Sequence, residues 1–236
     1  MRQVPLSGRV VFVDWHGVLS RDPFWMTIRE SATHPLRDQL EANLADVFSR
    51  ETNIANEWMK GLLSSAQVIA AMDIRLDRRF KEDFLARRLY VDCAQMKVNT
   101  ELFRVLWTMK ALALVVVATD NMDCFADTFG RIRSRSRRPP APEAVTLANW
   151  AVVCDDIICS SDVAALKSED PTSFFGPWLS RYDLSFADAL LIDDRADNCA
   201  AFRQHGGATL QWKMGSNDIS EVVVGLQNWL GAPAPV

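Results

Sequence analysis

Short runs of aliphatic and β-branched residues punctuate the chain, and three of them stop at polar side chains. Val10-Val-Phe-Val13 stops at Asp14, with Gly17 soon after; Leu112–Ala118 stops at Thr119-Asp120; Ala189–Ile192 stops at Asp193-Asp194. Ala151–Cys154, with Asp156–Cys159 nearby, forms a fourth apolar region. Runs without polar alternation suit strands buried on both faces, as in parallel sheets. Thr100–Lys110, Thr172–Arg181 and Asp197–His205 read as helices between or after these strands. Strands alternating with helices predict an α/β fold, a Rossmann-like parallel sheet flanked by helices. Ligands of such sheets sit beyond the carboxyl ends of the strands, so the polar residues closing the runs become site candidates.

The pattern changes between Pro23 and Lys97, where apolar residues recur at helical spacing. Candidate helices are Pro35–Arg50, Ile54–Gly61, Ser64–Arg75 and Asp77–Cys93. Ser64 or Ser65 suits a helix start and Gly61 the preceding helix end. The expectation is a helical module, residues 23–97, inserted into a core made of residues 1–22 and 98–236. Its aromatic and Met stripe is read as module core. Trp15, Phe24, Trp25, Trp58 and either Arg21 or Arg29 are candidates to line an entrance, while His34 and His205 read as structural.

A chain of 236 residues has room for one core and a small accessory domain. With 49% hydrophobic residues, 24% charged residues and a net charge of −4, it has the make-up of a soluble globular protein. That balance argues against a nucleic-acid partner. Five cysteines without a CxxC pair are expected as reduced, buried thiols rather than zinc ligands or disulfides. No apolar leader segment opens the sequence, and Ala111–Ala118 is too short to span a bilayer. The expected setting is cytoplasmic, away from membranes. The basic stretch Arg131–Arg138, followed by Pro139-Pro140-Ala-Pro142, is read as a solvated loop insertion, and residues 231–236 as a frayed tail.

Asp14, Thr119, Asp193, Asp194 and Lys167, the last in Ala164-Ala-Leu-Lys-Ser168, carry the candidate chemistry. Transfer of an anionic group to a carboxylate needs a nucleophile, positive charge to neutralise the group, and donors around it. Asp14 supplies the first, Lys167 and a cation the second, and Thr119 with amides near Gly17 the third. Three clustered carboxylates repel one another, so a hard dication is expected, and all-oxygen ligands of this type suit magnesium. Each residue alone has a plainer reading: Asp14 or Asp193-Asp194 as helix caps, Thr119 as a strand end, Lys167 as a surface lysine.

Together and in order they resemble the motifs of haloacid-dehalogenase-like hydrolases. Asp14-Trp-His16-Gly17-Val-Leu resembles the first motif, DxDGxL, and Val115-Val-Val-Ala-Thr119-Asp120 the second. Lys167 looks like the third, and Leu190-Leu-Ile-Asp193-Asp194-Arg-Ala-Asp-Asn198 is similar to the fourth. Residues 23–97 lie where this family inserts a helical cap, and Glu57-Trp-Met-Lys-Gly61 followed by Ser64 resembles a pattern of such caps. The resemblance spans about Val10 to Gly207. It implies catalytic roles for Asp14, His16 and Lys167, and contacts to a small phosphorylated substrate from Gly17, Thr119, Asp120 and Lys167. It also implies magnesium held by Asp14, Asp193, Asp194 and, through its backbone carbonyl, His16.

The sequence departs from the pattern at His16, which stands where the family's phosphatases carry a second aspartate as acid and base. Three readings stay open: a magnesium-dependent phosphatase using the imidazole, a hydrolase that attacks carbon as dehalogenases do, and a binding protein with lost or weak turnover. Asp193-Asp194 speaks against the second, because carbon–halogen displacement has no need of a metal site. Asp120 for the family's frequent Asn, and Ser168 for its frequent Pro, are smaller departures.

Overall fold

The computed structural model of the chain describes residues 8–49, 51–135, 146–215 and 218–231. It is built on a five-stranded sheet in the order β3-β2-β1-β4-β5, with all neighbouring pairs parallel. The strands are β1 (Val10–Val13), β2 (Leu114–Thr119), β3 (Asp156–Cys159), β4 (Ala189–Asp193) and β5 (Ala208–Gln211). Every residue of β1, β2 and β4 is buried, because helices cover both faces. Alternation divides the side chains between two cores. Val11, Val13, Val115, Val117, Leu190 and Ile192 point to one face, and Val10, Phe12, Val116, Ala118, Ala189 and Leu191 to the other.

In chain order the helices are α1 (Met26–Arg29), α2 (Arg37–Val47), α3 (Ile54–Met59), α4 (Ser65–Ala71), α5 (Phe84–Gln95), α6 (Thr100–Met109), α7 (Asp123–Arg135) and α8 (Leu147–Val153). They continue with α9 (Ser160–Val163), α10 (Pro171–Arg181), α11 (Ala196–Gln204) and α12 (Ile219–Leu230). Local chemistry fixes several ends. Ser64 and Gln67 close a capping box on α4, and Asn99 accepts from the amides of Glu101 and Leu102 at the start of α6. Asp170 caps α10 with Pro171 at its first turn, and Gly231, at φ 65°, ends α12 in the left-handed region.

Between β1 and β2 the described chain is helical, and a third apolar cluster forms there, from Trp25, Leu40, Trp58, Leu85 and Leu89 among others. Met122 and Cys124, after β2, join this cluster, so the helices between the strands rest on the sheet's carboxyl edge. Gly61 comes close to that edge: with φ 67°, a Cβ there would stand 2.3 Å from the Ser161 carbonyl oxygen.

Several expectations need correction. Ala151–Cys154 is not a strand; it belongs to the end of α8, whose apolar character comes from Leu147, Trp150 and Ala151 packing into the core. The helix placed at Asp77–Cys93 begins only at Phe84. Residues 131–135 of the basic stretch are not loop but the last part of α7. There Arg131 lies 3.7 Å from Asp127 and Arg133 3.3 Å from Asp156, so these charges are met by the protein's own acids. Residues 136–145 and 232–236, including Pro139-Pro140-Ala-Pro142, lie outside the described residues. Among those described, the five cysteines are all free and buried, and no helix is long and apolar enough to cross a membrane.

Candidate active site

The chain runs from β1 outward to β2 and β3, then returns to place β4 on the other side of β1. The strand order therefore reverses between β1 and β4, and the crevice at such a switch point is where parallel sheets bind ligands. Asp14 follows β1 and Asp193 ends β4, one on each side of it. The ladder carries on to the site itself: the Asp14 amide donates to the Ile192 carbonyl at 2.9 Å.

Lys167 arrives from the loop between α9 and α10 and is only 1% exposed. Its Nζ lies 2.9 Å from Asp14 Oδ1 and 2.6 Å from Asp193 Oδ2, and donates to the Ala118 carbonyl at 3.2 Å. The Lys167 backbone amide donates to Asp120 Oδ1 at 3.0 Å. Asp193 is held from behind by Asn198 Nδ2, 3.1 Å from both carboxylate oxygens, and by the Arg195 amide at 2.9 Å. Asn198 reaches it because α11 starts immediately beyond β4 and turns this side chain inward.

Asp14, Asp193 and Asp194 each offer a carboxylate oxygen, all within 4.8 Å of one another. The His16 imidazole is not part of that cluster. Gly17 makes room for it. At φ 88° and with a would-be Cβ 2.5 Å from Asp194 Oδ2, this position tolerates no side chain, and its carbonyl accepts from the Met214 amide at 2.8 Å. Thr119 is buried at the end of β2, and Asp120 follows it, partly buried.

Electrostatics follow from burial of several acids around one ammonium. Burial pushes the Asp14 carboxyl up to about 8; Lys167 opposes the rise, and Asp193 and Asp120 add to it. Asp120 and Asp194 are pushed up as well, in both cases first by burial. Burial works against the Lys167 charge, but Asp14, Asp193 and Asp120 outweigh it and hold the ammonium protonated. A hard cation with oxygen preference fits this donor set, since the ligands are all carboxylates and their charge exceeds what one lysine balances.

His16 is exposed and lines a cavity of about 220 Å³. Its ring meets solvent, yet burial by the surrounding wall holds its pKa below 6.5, aided by Arg29 and opposed by Asp194 and Asp22. Trp15, Phe24, Trp25, Trp58 and Arg29 do line this cavity, whereas Arg21 does not. His34 and His205 lie elsewhere, stacked on Phe84 and packed against Phe186.

Sequence reasoning gave no role to Asn198, nor to Met59, Met96, Asn121 and Met122 in the cavity wall. Asn198 stood at a readable place, five residues after Asp193 at the start of a helix. The methionines carried no signal, since nothing in their spacing separates a cavity wall from a core.

No protein-family model matches this chain, and no curated protein matches it. Solved structures do. A HAD-like hydrolase from Porphyromonas gingivalis matches with a TM-score of 0.65 at 16% identity, covering 93% of this chain and 98% of that one. A HAD-family enzyme from Bacteroides thetaiotaomicron, crystallised with magnesium and inorganic phosphate, gives 0.61 at 13% identity, over 91% and 98%. A 2-haloacid dehalogenase from Pseudomonas syringae gives 0.56 at 15% identity, over 94% and 99%.

Proposed function

Starting from a chain that has the haloacid dehalogenase fold, we propose that it is a magnesium-dependent hydrolase cleaving small phosphate monoesters through a phosphoryl group carried on Asp14. The observation that carries this reading is the convergence of Asp14, Asp193, Asp194 and Lys167 at the β1/β4 switch point. Magnesium, bound by the three aspartates and by the His16 carbonyl, would supply the positive charge that lets a substrate dianion approach acidic side chains. The Bacteroides enzyme's complex with magnesium and phosphate supports that choice of ion.

One oxygen of Asp14 attacks phosphorus, and the ester oxygen leaves with a proton from His16. Lys167, Thr119 and amides near Gly17 meet the transferred oxygens, where the buried ammonium acts at low dielectric. Asp120 positions Lys167 through the backbone amide it accepts from. His16 then takes a proton from the water that cleaves the aspartyl-phosphate, regenerating Asp14 and releasing phosphate. Residues 23–97 act as a cap over the core formed by residues 1–22 and 98–236, excluding bulk water from these steps.

The likeness to a 2-haloacid dehalogenase favours a second reading, attack by Asp14 on carbon. Metal dependence separates the two, because that displacement leaves Asp193 and Asp194 without a task. The test is turnover of a phosphate monoester panel with and without magnesium, beside Asp14→Asn and His16→Asp. The expected result is magnesium-dependent turnover that Asp14→Asn abolishes. A fall of more than about tenfold in His16→Asp, or ~1.4 kcal/mol of transition-state stabilisation, assigns the imidazole a specific role. Equal turnover by wild type and Asp14→Asn refutes the catalytic reading and leaves a binding protein on this fold.

A further inference from the structure

The cavity behind His16 has a chemical character that the acidic cluster does not share. Phe24, Trp25, Trp58, Met59, Met96 and Met122 form its wall. The polar groups in that wall are largely committed elsewhere. Trp25 Nε1 donates to the Leu85 carbonyl at 2.8 Å, and Trp58 Nε1 to Ser65 Oγ and Asp123 Oδ1, both at 3.1 Å. Asn121 Oδ1 accepts the Met122 amide at 3.0 Å, and Arg29 pairs with Glu41 at 2.8 Å and 3.2 Å. Asp120 already accepts the Lys167 amide.

Trp25 holds a left-handed φ of 53°, a strained conformation for a bulky residue, and it persists because its indole is fixed by the Leu85 bond and by Trp58 at 6.3 Å between ring centroids. In size, about 220 Å³ is ample for one ring, since an apolar cavity of roughly 150 Å³ accepts benzene.

We propose that this cavity selects phosphate monoesters whose organic group is compact and apolar, and rejects polyhydroxylated esters such as sugar phosphates. The substrate class rests on the hydrolase reading above; the cavity's preference as a binding site does not. An apolar ring entering here exchanges water for aromatic and thioether surface. A sugar ring would bring hydroxyls away from water to a wall whose Trp25 and Trp58 indoles are already bonded and whose Trp15 Nε1, unpartnered among the described residues, is itself shut off from the surface, so each hydroxyl would lose its solvent partners without replacement.

Cyclohexylmethyl phosphate and glucose 6-phosphate make the test, because both are primary phosphate esters of a six-membered ring and differ chiefly in hydroxyls. With wild type and saturating magnesium, kcat/KM should favour the cyclohexylmethyl ester by about 100-fold, or ~2.7 kcal/mol. Equal values, or a preference for glucose 6-phosphate, overturn the inference. If neither ester is hydrolysed faster than by Asp14→Asn, the hydrolase reading falls and the same two esters are titrated calorimetrically into wild type at saturating magnesium. Tighter binding of the cyclohexylmethyl ester with a negative heat-capacity change then upholds the cavity's preference, and equal or absent binding of both sinks it.

Discussion

Lys167→Met isolates the electrostatic core of the site, because methionine keeps much of the length of the side chain while removing its charge. The ammonium is 1% exposed and lies within 2.9 Å of Asp14 and 2.6 Å of Asp193. Its loss leaves Asp193 without its cation and removes the charge that opposes protonation of Asp14, already pushed up to about 8, a change worth ~3–5 kcal/mol when one partner of a buried pair is removed. Asp193 keeps Asn198 and the Arg195 amide, and Asp14 keeps the Trp15 amide at 2.7 Å, so the lower end of that range applies, about 3 kcal/mol. Urea unfolding of the metal-free protein measures it: with a slope of ~3 kcal/mol per molar, the midpoint should fall by roughly 1 M. Adding Asp14→Asn to the same chain should cost little further, since the Asp14 carboxyl it replaces is then protonated at neutral pH and close to Asn in shape and charge. A loss below about 1 kcal/mol, or a double variant much less stable than Lys167→Met alone, would refute the role of Lys167 as the counterion of this pair.

Two further outcomes follow from particular residues. Gly17→Ala forces a Cβ into the Asp194 carboxylate at a backbone φ of 88°, so magnesium affinity measured by calorimetry should fall at least tenfold; unchanged affinity would show that this close approach does not shape the site. Burial raises the Cys93 and Cys159 thiols from 9.0 to about 12 and Cys199 to about 11. The folded state thus holds protons that the unfolded chain releases above pH 9, so stability is retained below pH 9 and lost as pH climbs toward 11–12. Urea midpoints should decline over that window, and native protein at pH 8 should resist thiol alkylation; rapid labelling of these cysteines would contradict their burial.

What the sequence disclosed depended on how many faces an element buries. β1, β2 and β4 lie between two layers of helices, so each is written as an unbroken apolar run, and the residues closing them were identifiable as strand ends. β5 sits at the sheet's edge with no fully buried position, and its Ala-Thr-Leu-Gln carries no such run. Ala151–Cys154 failed in the opposite way: two turns of helix with Leu147, Trp150 and Ala151 buried produce the apolar density of a strand, and length alone does not separate the two. The Thr146–Asn149 capping box was the available clue. The acidic cluster was legible because strand ends set its positions. The cavity was not, since Met96 precedes α6 and Met122 follows β2, and only the packing of the intervening helices brings them to one wall.

This division has a chemical consequence. Asp14, Asp120 and Asp193 surround a single buried ammonium, and Asp194 adds a fourth carboxylate at the rim. On the proposed reading the metal-free site is not ready for a phosphate dianion, because burial pushes the Asp14 carboxyl up to about 8 and the group proposed to attack is mostly protonated at neutral pH. A dication held by Asp14, Asp193 and Asp194 would favour ionised Asp14, the form proposed to attack phosphorus. On that reading metal binding should precede substrate binding. On the proposed reading the strand ends would decide whether the anionic half of the substrate is admitted, and the aromatic wall, by burying what is attached to it, would decide which ester gains from entering.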